Sequence, residues 1–113
     1  MAGGVVHLPF YATGFRGDDL QFALELIAPM STNYGAKRYE VFRSRDDRYK
    51  FLMSVDFERK HDWDRFWFGP EFTEMRAACS GWYQVPLLYV WNDRVADGTV
   101  REPSAVTADE ASG

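Results

Sequence analysis

Two segments rich in β-forming residues are apolar on both alternating faces, and they limit the fold more than any other feature. They are residues 5–12, VVHLPFYA, and residues 83–93, YQVPLLYVWND. A strand that is apolar on both sides needs a covering layer on both sides. Pro9 has no amide hydrogen, so the first strand needs an edge, a bulge or a gap in its pairing there. These strands predict a sheet with packing partners on each face.

A helix is predicted directly after the first strand. Apolar side chains recur at helical spacing over residues 20–27, and Asp18 and Gln21 have the spacing of a capping box. Pro29 is expected to end or kink this helix, because it cannot donate to the helical ladder. Gly35 supplies the backbone freedom that closes the segment.

Two further strands, residues 39–44 and 49–58, are predicted to form a hairpin around the loop RDDR. In the second of them, alternate residues are apolar while the other face is mostly polar. The apolar face consists of Tyr49, Phe51, Met53, Val55 and Phe57.

The segment HDWDRFWFGPEF, residues 61–72, holds five Trp or Phe residues among its twelve. Trp63, Phe66 and Trp67 have the i, i+3, i+4 spacing of one helix face. Gly69 precedes a proline and is a natural break, and Pro70 can begin a second helix. The spacing predicts a broken helix that continues to about Gly81 with one apolar side.

The element order βαββαβ predicts an α+β, ferredoxin-like fold: a four-stranded antiparallel sheet with both helices on one face. In a monomer the other face would lie in water, at a cost of about 25 cal/mol per Å² of apolar surface. A two-fold dimer packed sheet against sheet removes that cost. We expect one domain over residues 1–96. Residues 97–113 form an acidic tail without a burial pattern, which predicts disorder.

Composition narrows the function classes. The net charge is −4, and no basic stripe is present, which disfavours nucleic-acid binding. The first residues lack the features of a signal peptide, and no segment has the length and apolarity of a membrane span, so a cytoplasmic protein is expected. Two histidines and one cysteine make a dedicated metal site unexpected. Cys79 is interpreted as a small core residue, with a catalytic thiol as the lesser alternative.

Residues 5–95 resemble the dimeric α+β barrel superfamily, and its antibiotic biosynthesis monooxygenase-type domains in particular. The element order, the aromatic second helix broken at FGPEF and the final VPLLYVW carry this resemblance. It implies a cleft between sheet and helices for hydrophobic or aromatic molecules. Some members oxygenate polyketides without a cofactor, some degrade haem and some isomerise lactones. Haem-degrading members use an Asn in the first strand and a His after the helical Trp. Here that Asn is lacking and His61 precedes Trp63, which argues against haem degradation.

The candidate catalytic residues are His7 and Tyr11, which could move a proton on a bound substrate. The candidate ligand-binding residues are Trp63, Trp67, Phe72 and Arg43. Rings can stack on a flat ligand, and a guanidinium can bind a carboxylate or enolate. Each candidate has a structural alternative: core packing for the rings, a satisfied histidine in the strand, and a salt bridge for the arginine.

Two functions remain open at this point. The first is a homodimer, or a higher oligomer, that binds a hydrophobic, polyketide-like small molecule and oxidises or rearranges it without a cofactor. The second is a non-catalytic dimeric adaptor that acts through its surfaces and its acidic tail.

Overall fold

The computed structural model describes residues 3–101, and these form one antiparallel sheet with a layer of helices on one face. The strand order in the sheet is β2-β3-β1-β4, as in a ferredoxin-like fold. The elements in chain order are β1 (Gly4–Tyr11), α1 (Gly17–Ile27), a 3-10 helix (Ala28–Tyr34), β2 (Arg38–Arg43), β3 (Lys50–Phe57), α2 (Lys60–Trp67), α3 (Pro70–Ala78) and β4 (Val90–Asn92).

The two central strands, β1 and β3, supply the sheet's contribution to the core. Val6 lies opposite Val55, and Leu8 lies opposite Met53, with all four side chains buried beneath the helices. The alternation predicted for β3 is confirmed within the strand, since Phe51 and Phe57 are also buried on this face, whereas Tyr49 precedes the strand and is 39% exposed.

The last strand is much shorter than predicted. The β4 ladder covers only Val5, Val6 and His7 of β1, and pairing resumes only at one isolated bridge between Ala12 and Tyr83. Pro9 therefore lies in the gap in pairing that its missing amide hydrogen required. The opposing segment also contains a proline, which removes a second donor from this part of the ladder.

The start of α1 also differs from the prediction. The helix begins at Gly17, and no side chain caps it, so the capping box was wrong. Asp18 lies in the first turn, where its carboxylate accepts a hydrogen bond from Arg43 across 2.8 Å. The predicted end is confirmed: α1 stops at Ile27, the chain passes through Pro29 as a 3-10 helix, and Gly35 closes it with a φ of 97°.

The break in the second helix is confirmed. Gly69 is extended between α2 and α3, and Pro70 is the first residue of α3. The helix ends at Ala78 rather than near Gly81. Residues 97–101 have no helix or strand, and the rest of the predicted tail, residues 102–113, lies outside the described residues.

Candidate functional site

The aromatic side chains of α2 and α3 fill the space between these helices and the sheet. Trp63 is fully buried, with its ring centroid 5.6 Å from that of Trp67 and 5.1 Å from that of Tyr89. Phe72 is also fully buried and packs edge-on against Trp63 at 6.1 Å. Trp67 is only partly buried, at the border of this cluster. Two of the three predicted ligand-binding rings therefore lie in the core.

The predicted catalytic residues His7 and Tyr11 lie on the opposite face of the sheet, away from the helices. They are four positions apart, or about 13 Å along a strand. Nδ1 of His7 lies 2.7 Å from Nδ2 of Asn92. The hydroxyl of Tyr11 donates to Asp47 across 2.9 Å, and this hydrogen bond raises the pKa of Tyr11. The structure does not bring these two side chains together with the aromatic cluster.

Arg43 joins three parts of the chain. Its Nη1 donates to Asp18 at 2.8 Å and to Gln21 at 2.9 Å, both on α1. Its Nε donates to the carbonyl oxygen of Arg48 at 2.8 Å, in the loop between β2 and β3. The guanidinium also lies over the ring of Phe51, 5.0 Å from the centroid. This set of contacts connects β2, the hairpin loop and α1, and it lowers the pKa of Asp18.

A groove in the helix layer, which we call the α1–α3 groove, has a volume of about 520 Å³. It is bounded by α1, the 3-10 helix, α3 and the residues that follow α3. Its lining is almost entirely apolar and consists of Phe22, Ala23, Leu26, Ile27, Met30, Glu71, Glu74, Met75, Ala78, Cys79 and Trp82. A volume of this size falls in the range of about 300–1,000 Å³ that small-molecule sites occupy.

The walls and floor of the groove differ in exposure. Phe22 and Leu26 are 63% and 56% exposed, which is unusual for such large apolar side chains on one helix. Cys79 lies on the floor with only 4% exposure, and burial raises the pKa of its thiol. A raised pKa keeps the thiol protonated at neutral pH, so it favours the structural interpretation of Cys79.

Two carboxylates, Glu71 and Glu74, stand among the lining residues. Oε1 of Glu71 accepts a hydrogen bond from the hydroxyl of Tyr34 across 2.5 Å. This bond lowers the pKa of Glu71 and raises that of Tyr34. Glu71 is therefore fixed in place and ionised over a wider pH range than a free glutamate.

Arg76 lies near the aromatic cluster and not among the lining residues of the groove. Its guanidinium carbon is 3.9 Å from the centroid of the Trp67 ring and 5.0 Å from that of Phe72. Burial lowers the pKa of Arg76, and the stacked rings supply a cation–π attraction that opposes this cost. The contact holds Trp67 against the protein.

The α1–α3 groove was missed in the sequence, although one signal for it was present. Phe22, Leu26 and Met30 recur at four-residue intervals, beside the stripe that was assigned to the core. A helix with two apolar stripes has more apolar surface than one sheet can cover.

Comparison with solved structures shows which fold this is. Three similar structures are each described as a "putative antibiotic biosynthesis monooxygenase". The protein from Nitrosomonas europaea has a TM-score of 0.75 at 15% identity, over 82% of this chain and 90% of that one. The Bordetella bronchiseptica protein has a TM-score of 0.74 at 15% identity, over 85% of this chain and 100% of that one. The Deinococcus radiodurans protein has a TM-score of 0.73 at 15% identity, over 88% of this chain and 99% of that one.

This chain has the ferredoxin-like fold of the antibiotic biosynthesis monooxygenase-type domains. The predicted fold class is thereby confirmed. At such low identity the likeness concerns the fold alone. No protein-family model matches the chain, and no curated protein sequence matches it. Among residues 3–101, no helix is long and apolar enough to cross a membrane.

Proposed function

We propose that the protein binds one hydrophobic, aromatic small molecule in the α1–α3 groove. The observation that carries this proposal is the groove itself, with about 520 Å³ of space and a lining rich in Phe, Met, Leu and Trp. Rigid aromatic and flexible methionine side chains together suit a flat apolar ligand. The fold supports this proposal, since three similar structures are each described as a "putative antibiotic biosynthesis monooxygenase", a name that refers to small-molecule chemistry.

The proposal also includes a homodimer formed through the open face of the sheet. Phe42, Leu52 and Pro9 lie side by side across β2, β3 and β1, which places three apolar residues in one row on that face. Phe42 is 49% exposed in the single chain. Packing two such faces together would remove this surface from water. The groove belongs to the helix layer, so a dimer of this kind leaves it open.

The proposal assigns binding and no chemical step. His7 and Tyr11 lie on the sheet face that would be covered in the dimer, and neither lines the groove. A proton-transfer group has to reach the reacting atom within about 3 Å, directly or through one water molecule.

A second function, a non-catalytic adaptor, is favoured by one observation. The rings of Trp63, Phe66 and Phe72 fill the space between sheet and helices, where the resemblance implied a ligand cleft. An adaptor of this kind would use its outer surfaces and would leave the α1–α3 groove without a small molecule.

A fluorescent, neutral probe, N-phenyl-1-naphthylamine, distinguishes the two functions. Ala78 lines the groove and is exposed, so Ala78→Trp should fill part of it and weaken probe binding at least tenfold. Ala77 is exposed on the same helix but does not line the groove, so Ala77→Trp is the matched control. Equal affinities for the two variants would contradict the proposed site. Native mass spectrometry of the same samples tests the dimer.

A further inference from the structure

The charged side chains that line the α1–α3 groove are all acidic. Within residues 3–101, the lining includes the carboxylates of Glu71 and Glu74 and no basic side chain. The ionised state of Glu71 is reinforced by the Tyr34 hydroxyl, which lowers its pKa. An apolar groove with negative charge at its border selects for a ligand with a positive charge next to an apolar body.

Two arginines near residues around this groove already have acidic partners, and a third, Arg76 on α3, lies over the ring of Trp67. Arg16 lies over the ring of Trp82, 5.2 Å from the centroid, but its Nη1 is 2.9 Å from the carboxylate of Asp19. Arg65 lies 5.6 Å from the centroid of the Tyr34 ring, and its Nη1 is 3.5 Å from Asp62. None of these arginines lines the groove, so Glu71 and Glu74 are the charged groups of its lining.

We infer that the groove takes a cationic amphiphile, specifically an organic amine that carries an aromatic or similarly apolar body. The apolar part lies between Phe22, Leu26 and Met75, and the ammonium group lies at the border formed by Glu71 and Glu74. This inference rests on the proposed function, since it names the ligand class of the same site. The volume favours a small molecule over a protein partner, whose interface would extend over a much wider surface.

Three probes with one carbon skeleton test the charge preference: 2-(1-naphthyl)ethylamine, 2-(1-naphthyl)ethanol and 1-naphthylacetate. In isothermal titration calorimetry at low salt, the amine should bind with the highest affinity, the alcohol with a lower affinity and the acid with the lowest. An exposed or half-exposed ion pair changes affinity by about two- to fivefold, so two carboxylates predict a total preference for amine over alcohol of about tenfold. Sodium chloride at about 0.5 M should weaken binding of the amine and leave binding of the alcohol nearly unchanged, because salt screens exposed charges.

Variants separate the groove from the general charge of the protein. Glu74→Gln should reduce the preference for the amine about two- to fivefold and leave the affinity of the alcohol unchanged. Glu58→Gln removes the same charge directly after β3, outside the groove lining, and should leave the preference for the amine intact. Glu58 forms an exposed ion pair with Lys37, so its loss should cost little stability.

The failures can be told apart. If all three probes bind equally well and Ala78→Trp weakens all of them, the groove is a site but the cationic preference is overturned. If Ala78→Trp weakens none of them, the inference and the proposed function both fail. Sedimentation velocity tests whether a second copy of the chain occupies the groove instead. If the protein assembles beyond the dimer, Ala78→Trp abolishes that assembly and no probe binds, then a second copy fills the groove and the inference is overturned.

Discussion

Gly17 and Arg43 should be energetically coupled. Gly17→Ala should lower the free energy of unfolding in the wild-type protein but not in a protein that also carries Arg43→Ala. A Cβ added at Gly17 would lie 2.4 Å from Nη2 of Arg43, far inside van der Waals contact. The guanidinium cannot simply move away, because three hydrogen bonds and a ring contact fix it. Gly17→Ala therefore has to break some of the contacts that Arg43 makes.

The magnitude follows from those contacts. The hydrogen bonds to Gln21 and to the carbonyl of Arg48 each contribute about 0.5–1.5 kcal/mol. The pair with Asp18 adds about 0–1 kcal/mol, since the aspartate side chain is 95% exposed and solvent screens it. Losing much of this set costs about 1.5–3 kcal/mol, and the preference of helices for alanine over glycine offsets up to about 1 kcal/mol of it, so Gly17→Ala should destabilise the wild-type protein by about 0.5–3 kcal/mol. In an Arg43→Ala background the obstruction is gone, and alanine is favoured over glycine in a helix by up to about 1 kcal/mol.

Urea denaturation followed by circular dichroism gives the four free energies of unfolding in this double-mutant cycle. We expect a coupling energy of at least about 1.5 kcal/mol, with Gly17→Ala destabilising alone and neutral or stabilising beside Arg43→Ala. Probe affinity measured on the Arg43→Ala protein should equal that of the wild type, because Arg43 does not line the groove. Additive free energies would refute the coupling between Gly17 and Arg43, and a loss of probe affinity would restore Arg43 as a ligand-binding residue.

Two further predictions concern the interior and the groove border. Trp63 is fully buried, but its indole nitrogen has no hydrogen-bond partner among residues 3–101. Trp63→Phe should therefore cost less than about 2 kcal/mol, against about 3–5 kcal/mol for Trp63→Ala, in urea melts; equal costs would contradict this. Because the pKa of Glu71 is lower in the folded state than in the unfolded state, its ionisation stabilises the fold at pH values above the unfolded-state pKa. This stabilisation is lost as the pH falls through the folded-state pKa. Tyr34→Phe should flatten the fall in stability below about pH 5, and an unchanged acid limb would contradict the role of this bond.

Local patterns were sufficient for much of the fold. The alternation in β3 identified the buried face because a period of two leaves no choice of side once one face is apolar. The Gly-Pro pair identified the break between α2 and α3, because the backbone before a proline avoids the helical region whatever the surroundings. Both features depend on the chain's own chemistry and not on distant contacts.

Distant contacts explain two of the differences. Asp18 has the residue type and spacing of a cap, but α1 begins at Gly17, which places Asp18 inside the first turn, where its carboxylate pairs with Arg43. Arg43 lies 25 residues away in the sequence, so no local pattern encodes this pair. The segment after Tyr83 has strand composition, yet it pairs only at Val90–Asn92. Pro9 on the neighbouring strand and a proline within this segment each remove a hydrogen-bond donor. Only the register of the folded sheet shows that the two prolines lie in the same region.

The position of the groove follows from a competition that the sequence leaves undecided. Helix α1 has one stripe with Leu20 and Leu24, which is buried, and a second with Phe22 and Leu26, which is exposed. Either stripe is apolar enough to pack on the sheet. The aromatic rings of α2 and α3 fill the space beneath their own helices and leave no room there for a ligand. The second stripe of α1 therefore meets α3 across an open groove, and the site lies between helices because the core was already full.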